Sequence, residues 1–358
     1  MKDLNYLIAA AIACALALGL TPVMIGLSTK LKILDMPNAR KAHTRPTPLM
    51  GGLAIYFATI LAGLFFVLWF VDGLNLSLVA AFAVGITGVT VMGLIDDIMH
   101  LSAKRRLVIL FILALIVLVG CLQFYFPPTL LTSGLGIVLL VSFVVVAWMV
   151  ALTNAINFAD GLDGLASCLS MISAVGFAAI FYLQGRTQLA LPMALALAGG
   201  ILGFLPYNMN PAKIFMGDAG SMFIGFMLGI FSIMSMSDEP VEEFVVSAFL
   251  VLVPIVDMGM AVLRRLIMHK PVMKPDKFHF HHILNRKFNN QRLVVLILAV
   301  AQGASVAVGV VIYRYTLYLT GWILLGGLAV IAMLYTFHKA RRLLANEQKE
   351  QAAAIERE

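Results

Sequence analysis

The sequence predicts an all-α protein that crosses a membrane many times. Of its 358 residues, 61% are hydrophobic and only 12% are charged, whereas about a quarter of the residues in a soluble globular protein are charged. The mean hydropathy is +0.98. A helix of about 20 apolar residues crosses the hydrocarbon core of a bilayer, and runs of that length recur along the chain. The composition therefore indicates a polytopic integral membrane protein.

Eleven apolar runs are long enough to be transmembrane helices. They cover residues 4–27, 49–71, 74–95, 107–126, 134–153, 164–183, 189–207, 219–237, 244–263, 293–313 and 316–337. The run at 219–237 is the weakest candidate, because it is short and rich in glycine and serine. We predict a single transmembrane catalytic domain over residues 1–338 and a charged cytoplasmic tail over residues 339–358.

The distribution of basic residues predicts the orientation of the chain. Of the 25 Lys and Arg residues, 22 lie in one set of alternate segments. These segments are 28–48, 96–106, 154–163, 208–218, 264–292 and the tail from 338. The positive-inside rule makes that set cytoplasmic, with the N-terminus outside and the C-terminus in the cytoplasm. The net charge of +7 fits this topology, and we expect no nucleic-acid partner because no nucleic-acid-binding module is recognisable.

Asp96 and Asp97 close the run at 74–95. Adjacent carboxylates repel each other, and a helix C-terminus is unfavourable for anions, so a positive charge must compensate them. The basic cluster at 104–106 could supply that charge, or a divalent metal could do so. We favour a role in metal binding or proton transfer.

The segment Asn154–Gly164 carries two amides and two carboxylates between two apolar runs. The amides are Asn154 and Asn157, and the carboxylates are Asp160 and Asp163. Charges near membrane depth are costly and usually functional, and the glycine after each aspartate allows the backbone to approach a ligand closely. A helix cap or turn would need only one such polar residue. The pattern therefore favours a functional site.

The segment 208–221 contains Asn210, Phe215, Asp218 and Ser221. Asp218 precedes a predicted helix, and the N-terminal amides of that helix, together with Ser221, could receive a phosphate. A simple capped helix start would use the same residue types. Phe215 could stack on a base or anchor the loop in lipid.

The basic loop 264–292 contains His279, His281 and His282. Histidines at this spacing could bind zinc, but no cysteine is near. Phosphate binding by imidazolium and the surrounding Lys and Arg suits the composition better. Arg45 belongs to a second basic stretch that could also contact phosphate, although the positive-inside rule alone explains such stretches.

Asp257 lies inside the run at 244–263, two helical turns before Arg264. A structural pairing and a catalytic role both remain open for it. Gly225 and Gly229 are four residues apart and would allow close helix packing. That packing could be within the chain or between two copies, so a homodimer also remains open.

Together these motifs resemble those of the polyprenyl-phosphate N-acetylhexosamine-1-phosphate transferases, which are integral membrane enzymes that start bacterial cell-envelope polymers. The matching pieces are Asp96-Asp97, Asn154-x-x-Asn157-x-x-Asp160-Gly-x-Asp163-Gly, Phe215-Met-Gly-Asp218-x-Gly-Ser221 and the histidine loop. The His-x-His-His pattern at 279–282 is similar to the N-acetylglucosamine-1-phosphate branch. The peptidoglycan branch usually has three consecutive histidines followed by an acid.

The resemblance implies transfer of N-acetylglucosamine-1-phosphate from UDP-N-acetylglucosamine to undecaprenyl phosphate, with release of UMP. The product would be the lipid-linked first sugar of a cell-envelope polysaccharide such as lipopolysaccharide or teichoic acid. The implied cofactor is Mg²⁺, with Mn²⁺ as a substitute. The implied location is the bacterial cytoplasmic membrane, with the active site on the cytoplasmic face.

By the same resemblance, Asp218 and Asp97 bind the metal, and Asp96 and Asp97 bind the metal or take the proton of the lipid phosphate. Asp163 and Phe215 contact uracil. Asp160 is predicted to be catalytic, and the other predicted substrate contacts are Asn157, Asn210, Ser221, His279, His281, His282 and Arg45.

Three alternatives remain. The first keeps this chemistry with another UDP-N-acetyl sugar, including UDP-N-acetylmuramoyl-pentapeptide. The second is an ion-coupled transporter, which gains no support from internal repeats because none is evident. The third is a catalytically silent membrane scaffold.

Overall fold

A computed structural model describes residues 5–36, 46–71, 73, 75–126, 132, 134–236, 240–271 and 279–355. The predicted contact Arg45 lies outside these described residues. The described chain is helical apart from one two-stranded sheet, which confirms the prediction of an all-α polytopic protein.

Thirteen helices and two short strands follow one another along the described residues. They are α1 (Asn5–Leu31), β1 (Leu34–Asp35), β2 (Thr47–Pro48), α2 (Gly51–Phe70), α3 (Leu76–Met99), α4 (Ala103–Tyr125), α5 (Leu135–Ala159), α6 (Leu165–Leu183), α7 (Ala190–Asn208), α8 (Gly217–Met234), α9 (Pro240–Leu250), α10 (Leu252–Ile267), α11 (Phe280–Phe288), α12 (Gln291–Arg314) and α13 (Tyr318–Ile355). The strands pair antiparallel, with Leu34 opposite Pro48 and Asp35 opposite Thr47.

Ten of these helices are long and apolar enough to cross a membrane. The predicted span at 244–263 is not a single straight helix, because α9 and α10 meet at an angle of 90°. Counted as one bent span, the pair brings the candidates to eleven. Helix α13 continues without a break through the predicted boundary between residues 338 and 339.

The bend between α9 and α10 has a local cause and a side chain that compensates for it. Pro254 lies in the first turn of α10, and in a continuous helix its ring would clash with the carbonyl of Leu250. The buried Gln302 of α12 satisfies the freed backbone groups, donating to the Leu250 carbonyl at 2.6 Å and accepting from Val253 N–H at 3.1 Å. Ser305 donates to the Phe249 carbonyl at 2.6 Å.

Helix α8 is the centre of the bundle, although its sequence is the weakest apolar run. Within it, 94% of the membrane-length window is buried in the protein, and it packs against α2, α3 and α5. Its composition follows from that packing, because glycine lets neighbouring backbones approach closely. A Cβ on Gly220 would lie 2.6 Å from the Gly52 Cα, and one on Gly225 would lie 2.7 Å from the Thr153 Cα. Gly225 and Gly229 both face α5 of the same chain.

Three predicted loop motifs lie on helix ends instead. Asp96 and Asp97 are in the last turns of α3, Asn157 is in the last turn of α5, and Asp218 is in the first turn of α8. The apolar runs are shorter than the helices, because each helix continues beyond its apolar residues into a turn that carries polar side chains. The motifs still meet at one end of the bundle.

We expect Gln302→Leu to destabilise the protein, because it removes both partners of the backbone groups at the bend. Each buried unpaired backbone group costs roughly 1–3 kcal/mol, so the expected loss is about 2–5 kcal/mol. Unfolding by a denaturing detergent, followed by helix content, measures it. Val308→Leu, an apolar change on the exposed side of the same helix, is the control, and equal stability of the two variants would contradict this role of Gln302.

Candidate active site

Asp97 holds the N-terminus of the central helix. Its Oδ1 accepts from Asp218 N–H at 2.8 Å, and its Oδ2 accepts from Ala219 N–H at 3.1 Å. Gly217 has a left-handed φ of +68°, and a Cβ there would lie 2.6 Å from Asp97 Oδ2. An anion at a helix N-terminus is favourable. Asp97 therefore occupies the amides of Asp218 and Ala219, and the prediction that the N-terminal amides are available to a phosphate is wrong for these two.

Asp96 is compensated by a basic side chain. It is only 4% exposed, its Oδ2 lies 2.6 Å from Arg106 Nη1, and its Oδ1 accepts from Leu101 N–H at 2.6 Å. The same Arg106 nitrogen lies 3.5 Å from Asp218 Oδ2. The sequence left open whether a basic side chain or a metal compensates the paired aspartates. For Asp96, the structure shows the basic side chain. A role in proton transfer stays a prediction.

Asn157 joins the end of α5 to the start of α8. Its Nδ2 donates to Asp218 Oδ1 at 2.7 Å and to Ser221 Oγ at 2.9 Å. Ser221 in turn donates to the Gly217 carbonyl at 3.0 Å. Asp218 is therefore held between an amide and a guanidinium, and one side of each of its oxygens is occupied.

Asp160 differs from these acids because its carboxylate has no hydrogen-bond donor among the described residues. It directly follows α5 and is partly buried. Burial and then the negative charges of Asp218, Asp97 and Asp163 raise the pKa of Asp160 well above its ordinary value. The neighbouring acids thus disfavour the ionised form of Asp160, and a bound cation would stabilise that form.

Asp163 and Asn210 form a second cluster with the start of α12. Asp163 Oδ2 accepts from Asn210 Nδ2 at 2.9 Å and from Ala212 N–H at 3.0 Å. Asn210 Nδ2 also donates to Gln291 Oε1, and Arg292 donates to the Asn210 carbonyl from Nε at 3.0 Å and from Nη2 at 2.7 Å. Sequence reasoning missed Gln291 and Arg292, because a polar helix start carries no distinctive pattern.

The loop before α8 is tied to the start of α2 through its backbone. Phe215 N–H donates to the Pro48 carbonyl at 2.9 Å, and its carbonyl accepts from Gly51 N–H at 3.0 Å. Gly52 N–H donates to the Met216 carbonyl at 2.9 Å. The Phe215 side chain is half-buried, and its stacking on a base stays a prediction.

Two of the three predicted histidines, His279 and His281, face Asp257, and His282 packs against their rings. His279 Nδ1 is 3.1 Å and His281 Nδ1 is 3.8 Å from Asp257 Oδ2, while Asp257 Oδ1 accepts from Phe280 N–H at 2.7 Å. The ring centroids of His281 and His282 are 4.2 Å apart. Burial lowers the pKa of His282 to about 4. This shift opposes the predicted imidazolium at His282, and a substrate role for the three histidines stays a prediction.

A cavity of about 710 Å³ adjoins these residues. Its polar lining comes from helix ends and loops and includes Arg106, Asn154, Asn157, Asp160, Arg265, His279, His281 and His282. Its apolar lining lies deeper along α4, α5 and α10 and includes Leu107, Phe111, Phe143, Ala147, Val150, Met258 and Val262. The cavity thus connects polar groups at one end of the bundle with apolar helix faces.

The fold and this site can be compared with known proteins. Residues 78–236, from α3 through α8, match the model of glycosyl transferase family 4. A Bacillus subtilis (strain 168) protein named a probable undecaprenyl-phosphate N-acetylglucosaminyl 1-phosphate transferase is 34% identical, over 83% of this chain and 82% of its own length. The chain belongs to the polyprenyl-phosphate N-acetylhexosamine-1-phosphate transferase family. It is an enzyme of the phosphotransferase type.

Two other relatives are named as transferases of the same kind. The decaprenyl-phosphate N-acetylglucosaminephosphotransferase of Mycobacterium leprae (strain TN) is 31% identical, over 93% of this chain and 89% of its own length. The undecaprenyl-phosphate α-N-acetylglucosaminyl 1-phosphate transferase of Thermotoga maritima is 29% identical, over 78% of this chain and 82% of its own length. The similarity thus covers most of each protein.

The transferase brings its predicted residues together in three groups. The first group surrounds the start of α8 and consists of Asp96, Asp97, Asn157, Asp218 and Ser221. The second group lies beside the start of α12 and consists of Asp163 and Asn210. The third group lines the cavity and consists of the three histidines and Asp160. Sequence reasoning considered Arg106 only as a compensating charge and missed Arg265 as a lining residue. A basic residue at a membrane boundary carries no signal that separates such a role from topology.

Replacing two of the carboxylates should separate their roles. Asp97→Asn should lower stability by about 1–2 kcal/mol, because it weakens the cap of α8. Asp160→Asn should leave stability unchanged or raise it at pH 8, because Asp160 lowers stability as the pH rises from its ordinary pKa towards its raised pKa, where the unfolded chain ionises more readily than the folded protein. The advantage should shrink as the pH is lowered.

Thermal unfolding of detergent-solubilised protein at several pH values measures both effects. We assign Asp97 as the structural carboxylate and Asp160 as the carboxylate without a hydrogen-bond donor among the described residues. An unfolding temperature that is lower for Asp160→Asn than for Asp97→Asn would contradict this assignment.

Proposed function

We propose that this transferase moves N-acetylglucosamine-1-phosphate from UDP-N-acetylglucosamine to undecaprenyl phosphate and releases UMP. The observation that carries the proposal is the cavity, because it joins charged helix ends to a deep apolar lining. A reaction between a water-soluble nucleotide sugar and a membrane lipid needs both surfaces to meet. The names of the relatives support polyprenyl phosphate as the acceptor and N-acetylglucosamine as the sugar.

The apolar part of the cavity suits the polyprenyl chain. Phe143 on α5 is 61% exposed and Phe111 on α4 is 41% exposed, so in a membrane both side chains face lipid. A polyprenyl chain lying between these helices would bring its phosphate to Arg106 and Asp160. The guanidinium of Arg106 is a suitable partner for a phosphate.

The acidic residues suit a hard divalent cation. Mg²⁺ is usually held by one or two carboxylates, with substrate phosphates and water completing the shell. Among the described residues no group of three His, Cys, Asp or Glu side chains could hold a metal, so a site built on fewer protein ligands is required. Asp218 and the unpaired Asp160 fit, and Asp97 keeps one lone pair on each oxygen and remains a predicted ligand. Mn²⁺ prefers the same oxygen ligands.

When bound, the cation would neutralise charge on the diphosphate and on the departing UMP. An oxygen of the lipid phosphate would attack the β-phosphorus and form a new phosphoanhydride bond. The bond from that phosphorus to the bridging oxygen would break, and UMP would leave with the electron pair. Since the second pKa of a phosphate monoester is about 6, the acceptor is largely ionised at pH 7. Asp96, which is paired with Arg106, then serves positioning more than proton removal.

The location follows from the acceptor and from the charge distribution. The site residues lie at one end of the bundle, in segments that the positive-inside rule assigns to the cytoplasm. We therefore propose a cytoplasmic active site in the bacterial inner membrane, with the N-terminus outside. The product would be the first lipid-linked sugar of a cell-envelope polysaccharide.

Release of UMP from a panel of UDP-sugars, with undecaprenyl phosphate and Mg²⁺, tests the proposal. We expect release from UDP-N-acetylglucosamine, and loss of activity by at least about 100-fold in Asp218→Asn, because this variant removes a carboxylate ligand of the cation that would neutralise the developing negative charge. An unchanged unfolding transition would show that Asp218→Asn is folded.

Release only from another UDP-N-acetyl sugar would keep the mechanism and overturn the choice of sugar. No release from any of them by folded protein would contradict the proposed activity, and full activity of Asp218→Asn would contradict the metal assignment.

A further inference from the structure

We propose that Asp257 is a positioning residue that fixes the tautomers of His279 and His281, so that His281 Nε2 accepts a hydrogen bond from the sugar of the bound nucleotide. The inference rests on the proposed function. It assigns a role to a carboxylate whose hydrogen-bond and ion-pair partners, among the described residues, are His279, Phe280 and His281.

Asp257 holds the histidine segment by both of its oxygens. Oδ1 accepts from Phe280 N–H at 2.7 Å, at the start of α11, where an anion is favourable. Oδ2 faces Nδ1 of His279 at 3.1 Å and Nδ1 of His281 at 3.8 Å. The two imidazole planes are inclined by only 11°, so both rings turn the same edge towards this carboxylate.

This contact selects a tautomer. A carboxylate only accepts hydrogen bonds, so His279 Nδ1, at 3.1 Å, carries the proton. His281 Nδ1, at 3.8 Å, is too far for a hydrogen bond, but the negative charge of the carboxylate favours a proton on the nitrogen that faces it. The other nitrogen of a neutral ring then has a free lone pair. Asp257 therefore leaves Nε2 of each ring as the acceptor.

The Nε2 atom of His281 is positioned for a ligand. His281 is 2% exposed, and its Nε2 is buried without a hydrogen-bond partner among the described residues. It faces Gly161, where an added Cβ would lie 2.5 Å away. Both residues line the cavity beside Asp160. A buried acceptor without a partner is costly, and a hydroxyl or acetamido N–H of a sugar would satisfy it.

The bent span explains how Asp257 reaches this place. Asp257 lies less than two turns after the start of α10, directly beyond the 90° break. Helix α10 packs against α5, which carries the lining residues up to Asp160. The break thus turns the Asp257 end of α10 towards the cavity.

The variant Asp257→Asn separates two roles of this carboxylate, which are to fix the histidine tautomers and to hold the start of α11. The asparagine keeps an oxygen for Phe280 N–H but presents an NH₂ donor to the histidines, so Nδ1 becomes the acceptor and the proton moves to Nε2. In ¹⁵N-histidine-labelled protein, the Nδ1 and Nε2 signals of His279 and His281 should exchange their protonation pattern. Variants His279→Gln and His281→Gln assign the signals.

The kinetic expectation is a drop of at least tenfold in kcat/KM for UDP-N-acetylglucosamine, with the KM for undecaprenyl phosphate unchanged. Glu243→Gln, which removes a buried carboxylate from the other half of the bent span, is the matched control and should keep the wild-type kcat/KM. Gly161→Ala obstructs the same Nε2 from the opposite side. It should give the same drop, and it keeps the test decisive if Asp257→Asn does not fold.

Unchanged histidine signals in folded Asp257→Asn would overturn the proposal, and so would exchanged signals with wild-type kcat/KM. A wild-type kcat/KM in Gly161→Ala would overturn the contact at Nε2. If the wild-type enzyme releases no UMP, the proposed function fails by itself, and the histidine signals of Asp257→Asn still decide whether this carboxylate fixes the tautomers.

Discussion

The site depends on the contact between the Asp97 carboxylate and the first amides of α8. It joins the end of α3 to the start of the most buried helix, at 2.8 and 3.1 Å, and it stabilises an anion with the positive end of a helix dipole. Because α8 is closely surrounded by α2, α3 and α5, this contact fixes the depth and rotation of Asp218. Asn157 and Arg106 then meet Asp218 from two other helices.

The acidic side chain that has neither a basic partner nor a backbone amide partner in the described part of the chain indicates where chemistry can occur. Arg106 lies between Asp96 and Asp218 and partly balances both, and Asp97 is balanced by backbone amides. Asp160 receives neither kind of partner among the described residues, yet it lies near the other acids and on the cavity. The bend of α9 and α10 adds a second requirement, since Asp257 of α10 contacts His279 and His281, which line the same cavity. Gln302 stabilises that bend from α12.

The sequence predicted the spans and the chemical groups better than it predicted their contacts. The apolar runs and the acidic, amide and histidine motifs can be read locally, because each depends on composition within about 20 residues. The pairing of Asp97 with α8 joins residues 121 positions apart, so no local pattern contains it. Helix α8 looked weak because its glycines and serines reflect packing against protein and not exposure to lipid. Gln302 was overlooked because one amide barely changes the hydropathy of its run.

We propose that the cavity between α4, α5 and α10 receives the lipid acceptor beside Asp160. Photolabelling by a polyprenyl phosphate with a diazirine in the isoprenoid units nearest the phosphate tests it most directly. We expect labels on Phe143, Ala147 and Met258 that undecaprenyl phosphate suppresses by competition. Labels that are competed equally well but lie on α1, α2 or α13 would contradict it.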